Sequence, residues 1–70
     1  MSFMVTWKKG TKKVASRKEA VEFARSLDGV VLVNEHPAGS VTTFRDGREL
    51  EGEEATEATM VFMDEGADDA

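Results

Sequence analysis

A small α+β domain is predicted, with one helix packed on one face of a mixed β-sheet of about four strands. Three observations predict it. Ser16 and Glu19 have capping-box spacing ahead of an amphipathic stretch. Val30-Val31-Leu32-Val33 follows a glycine stop as a buried-strand run. Phe3, Val5 and Trp7 alternate with Met4, Thr6 and Lys8 in the period-two pattern of a half-buried strand. The expected order is β-α-β-β-β within residues 1–63, followed by residues 64–70 as an acidic flexible C-terminal tail.

Taken along the chain, residues 3–8 form the first expected strand. Lys8-Lys9-Gly10-Thr11-Lys12-Lys13 reads as a polar glycine-centred turn, and Val14-Ala15 as a brief second strand antiparallel to the first before the cap. The helix is expected over residues 17–27. Ala20, Val21, Phe23, Ala24 and Leu27 fall on one stripe, and Glu22 and Arg25 can pair on the solvent side. Asp28-Gly29 ends it, since glycine enters the left-handed region at little cost.

The run after Gly29 is short, apolar and mostly β-branched, which favours a strand buried on both faces over residues 29–35. Residues 34–40 have loop composition, and Val41-Thr42-Thr43-Phe44-Arg45 reads as the returning strand over 40–45. Asp46-Gly47 is the strongest tight-turn signal, because a type I′ turn needs positive φ at both central residues. It leads into a short segment at 48–51 and an acidic loop at 52–55. Residues 57–63 are read as a strand on the Thr-Met-Val-Phe run. A helix over 53–63 competes with that reading, because Glu, Ala and Met favour helix. If the first strand and the one after the helix are parallel neighbours, their crossover should be right-handed. The expected core is Phe3, Val5, Trp7, Ala20, Val21, Phe23, Ala24, Leu27, Val31, Val33, Phe44, Met60 and Phe62.

Seventy residues allow one small core, which buries only about 60% of the unfolded chain's surface and stands to gain from a partner or a second subunit. Apolar content of 40% with 33% charge suits a soluble globular chain rather than a disordered one. The absence of cysteine excludes disulfides and thiolate metal sites and fits a cytoplasmic location. No apolar run has the length of a membrane span, and the N-terminus lacks the layout of a signal peptide. The chain reads as a complete small open reading frame. Its net charge of −5 is unevenly spread: residues 1–45 hold eight basic and four acidic residues, whereas residues 46–70 hold Arg48 alone against ten acids.

Two charged stretches are candidate sites. Lys8, Lys9, Lys12 and Lys13 beside Trp7 could contact phosphates while the indole stacks on a base. The simpler reading makes Trp7 the third member of the Phe3/Val5 core face and the lysines a solvated turn. Glu51, Glu53, Glu54 and Glu57 belong to an acidic segment that could imitate phosphate toward a basic or nucleic-acid-binding partner, or could merely solubilise the surface. The acidic pairs lack the alternating oxygen ligands around a glycine turn that mark a calcium loop, so no metal or cofactor is expected. The single histidine, His36, has no marked nucleophile among Ser40, Thr42 and Thr43, and no catalytic residues are assigned.

The leading functional expectation is a non-enzymatic protein–protein interaction module, in a setting such as an inhibitor or accessory protein of a phage or other mobile element. The alternative is direct nucleic-acid binding through Lys8–Lys18 with Trp7, and a remote third is a small hydrolase or metal enzyme around His36. Should one sheet face stay uncovered, Met4, Val30, Leu32, Val61 and Met63 would mark a protein contact or a homodimer.

Overall fold

The Lys8-Lys9 dipeptide reverses the chain as a two-residue hairpin loop, and this local event sets the topology. In the computed structural model, which describes residues 2–67, β1 (Ser2–Trp7) folds back at once into β2 (Gly10–Val14). Lys12 and Lys13 therefore lie in a strand rather than in the turn expected for residues 8–13. Helix α1 (Arg17–Arg25) then carries the chain back to β3 (Val30–His36), followed by β4 (Val41–Arg45), the two-residue β5 (Arg48–Glu49) and α2 (Gly52–Ala67).

The sheet order is β2-β1-β3-β4-β5, and every neighbouring pair is antiparallel. A mixed sheet of about four strands is thus corrected to five antiparallel strands. The helix is fed from β2, so β3 runs parallel to β2 with β1 inserted between them. No parallel neighbours arise, and the condition attached to the crossover expectation is not met.

Register assigns the two faces. Val5 is opposite Val33, Trp7 is opposite Val31, and Val31 is opposite Phe44, which puts these side chains on one face. There α1 lays Ala20 and Ala24 on them, with Trp7, Val21, Phe23 and Leu27 packed around the edge. Phe3, Val5, Val31, Val33 and Phe44 are buried as expected, and Val14 joins them from β2. The cap forms as its spacing predicts: the Glu19 backbone N–H donates to Ser16 Oγ at 3.2 Å. The Glu19 carboxylate accepts from the Ser16 hydroxyl at 3.2 Å rather than from the Ser16 backbone N–H, so the serine half of the expected box forms and the reciprocal half is replaced.

The other face is covered as well, which corrects the expectation of one helix. Residues 57–63 are helical, and α2 lies across β3 and β4. Ala58 is fully buried, and Leu32, Thr43 and Leu50 are buried on the same side. Met60 is solvent-exposed rather than core, and Phe62 is half-buried. The helix also runs through residues 64–67, four positions of the expected tail; residues 68–70 lie outside the described residues. Two of the expected uncovered residues, Val61 and Met63, are exposed, whereas Leu32 is not.

Candidate functional site

Helix α2 positions the acidic candidates. Gly52 takes φ +60°, the left-handed region, and so turns the chain sharply out of β5 into the helix. Thr56 and Thr59 donate their hydroxyl protons to the carbonyls of Gly52 at 3.2 Å and Ala55 at 2.8 Å. Thr59 Oγ1 lies 2.6 Å from Thr43 Oγ1. Since the Thr59 proton is committed to Ala55, Thr43 is the donor, and the bond pins the middle of α2 to the centre of β4.

Glu51, Glu53, Glu54 and Glu57 are all exposed and gather at the entry to α2 and along its first turns. Carboxylates in a first turn are favoured by the helix dipole, which is reason enough for Glu53 and Glu54. Glu57 is different: one turn beyond Glu53, it sets two like charges at the i, i+4 spacing, which costs an isolated helix a few tenths of a kcal/mol. Arg48 Nη2 approaches Glu54 Oε2 at 3.7 Å with both side chains largely exposed, a pair worth little in water. The acidic surface is thus nearly unneutralised from within.

The basic candidates do not form one surface. Trp7 packs edge-on against Phe23, with ring centroids 5.1 Å apart and planes at 76°. Lys12 Nζ sits 4.7 Å from the centroid of that Phe23 ring, on the α1 side of the sheet. Lys13, opposite Met4, belongs to the other face. Lys8 and Lys9 remain at the hairpin tip, where they rim a cleft of ≈ 640 Å³ between that tip, the start of β3 and the later turns of α2.

His36 and Ser40 are exposed, and among the described residues no three His, Cys, Asp or Glu side chains converge on a possible metal position. Also among the described residues, no helix is long and apolar enough to cross a membrane.

Sequence reasoning named Val61 and Met63 as exposed apolar residues but set them on a sheet face and put Met60 in the core; all three are exposed on α2 beyond Glu57. A signal was present. Met60-Val61-Phe62-Met63 are four consecutive apolar residues, and at 100° per residue they cannot share one helix face. No family model, curated protein or solved structure matches this chain.

Proposed function

We propose that this chain is a non-enzymatic protein–protein interaction module that offers the start of α2 to a basic surface of another protein. The observation that supports it is the gathering of Glu51, Glu53, Glu54 and Glu57 on one exposed stretch, with Arg48 as a weak neutralising partner. A cationic partner would relieve the Glu53–Glu57 repulsion. Capture from a lysate of the native host tests this, comparing the original chain with a variant carrying Glu51, Glu53, Glu54 and Glu57 all changed to Gln. The expected outcome is one enriched basic protein that the variant fails to retain. Equal capture by both removes the acidic face from the proposal. The nucleic-acid alternative keeps one supporting observation, Lys8 and Lys9 beside Trp7 at the cleft. A labelled oligonucleotide retarded at low salt by the original chain, and not after Lys8 and Lys9 are changed to Ala, would favour it instead.

A further inference from the structure

The outer surface of α2 changes character along its length. After the glutamates, its later turns hold Met60 65%, Val61 47% and Met63 59% exposed. Val61 and Phe62 form one wall of the cleft whose other wall carries Lys8 and Lys9. Beside that cleft, the sheet face over β1 and β2 is only partly covered: Met4 and Thr6 are half-buried, and Thr11 and Lys13 are exposed. Met60, Val61 and Met63 wind round the helix rather than share one face, so the apolar surface that meets the cleft is Val61 with half-buried Phe62, beside the partly covered sheet face.

Charges of both signs border this apolar strip. Lys8 and Lys9 stand on the hairpin side, where they outnumber the one acid of the cleft lining, Asp28. On the helix side, Glu57 lies one turn before Val61 and Asp64 nearly one turn after it. Among the described residues none of Lys8, Lys9, Glu57 and Asp64 is in an ion pair; the pair that forms is Arg48–Glu54.

We propose that a second copy of this chain covers the strip, in a two-fold contact that seats the later turns of α2 of each copy against the hairpin side of the other. A two-fold axis sets one surface against itself, so a patch positive on one side of an apolar centre and negative on the other meets its complement twice. A foreign partner of a single charge sign would be attracted on one side and repelled on the other. The dimer therefore goes beyond the binding of a basic protein, and it leaves Glu51, Glu53 and Glu54 available for that role.

Sedimentation of the isolated full-length chain at low salt, over a wide concentration range, tests the proposal without any foreign partner. A monomer–dimer equilibrium is expected. Val61→Glu should weaken it by roughly tenfold or more, since it buries a charge at the centre of the contact. Two charge-swapped variants, Lys8→Glu with Lys9→Glu and Glu57→Lys with Asp64→Lys, should each be monomeric alone and form a mixed dimer when combined. All four swapped positions are exposed, and circular dichroism verifies that each variant is folded. A monomer at every concentration overturns the proposal. So does a dimer that survives Val61→Glu, which would point to pairing through a sheet edge. Swapped variants that stay monomeric when mixed overturn it as well. Each of these three results leaves the binding of a basic protein to be decided separately, by capture with Glu51, Glu53 and Glu54 changed to Gln, residues the dimer does not use.

Discussion

Ser16 uses its one hydroxyl twice, accepting from the Glu19 N–H and donating to the Glu19 carboxylate. Ser16→Ala removes both bonds, and the expected loss is about 1 kcal/mol, read as a lower denaturation midpoint in urea. An unchanged midpoint would separate the cap from the stability of α1. At Gly47 two costs combine. Its φ of +83° is the region that side chains avoid, and a Cβ there would stand 2.9 Å from the Arg25 carbonyl oxygen, a backbone atom. Gly47→Val should therefore destabilise by more than the roughly 1–3 kcal/mol that strained φ alone costs. A measured loss below that range would show that the turn re-forms with another geometry. Both positions were legible in the sequence because their physics is local: a three-residue spacing in one case, an Asp-Gly pair in the other. The neighbouring clamp was not legible. Asp46 Oδ1 accepts from the Gly29 N–H at 2.7 Å while the Asp46 N–H donates to the Gly29 carbonyl at 3.0 Å. No spacing rule connects residues so far apart in the chain.

Among the elements, α1 and β3 follow from their own residues, whereas β2 and α2 depend on what surrounds them. Thr11-Lys12-Lys13 has no apolar alternation, and it is a strand because β1 offers it a full antiparallel ladder. Residues 57–63 alternate well enough for a strand, yet Ala55, Ala58, Thr59 and Phe62 also fall on one helical stripe, and seven residues cannot separate the two periods. The deciding fact lies elsewhere, in Leu32. A strand apolar on both faces needs cover on both, and α2, tied to neighbouring β4 through Thr59, lies over β3. Ala58→Leu, at a fully buried position, should cost about 1–3 kcal/mol by overpacking. Met60→Leu, on the exposed side, should change the midpoint by no more than about 0.5 kcal/mol. Equal effects of the two substitutions would mean that α2 does not hold this orientation on the sheet.

At the scale of the whole molecule the charge split becomes a division of space. The hairpin lysines stand at one end of the cleft, and the acids of residues 46–64 run along β5 and α2. The sequence showed the imbalance, but not that β5 and α2 would carry the acidic half across the sheet face opposite α1, within reach of the hairpin. If the start of α2 binds a basic partner, encounter should be steered by charge, because exposed charges act over about 8–10 Å at physiological ionic strength and farther in dilute salt. Association is then expected to be fast at low salt and to slow steeply as salt rises, with dissociation changing much less. Changing Glu51, Glu53, Glu54 and Glu57 to Gln should lower the association rate and flatten its salt dependence. The thermal midpoint should stay within a few degrees, since all four are exposed and the Arg48–Glu54 pair contributes little. Stopped-flow association at several salt concentrations checks both quantities. An association rate that neither salt nor the four substitutions alter would place the contact on apolar surface alone, at Met60, Val61 and Met63, where binding is governed by the rate of release.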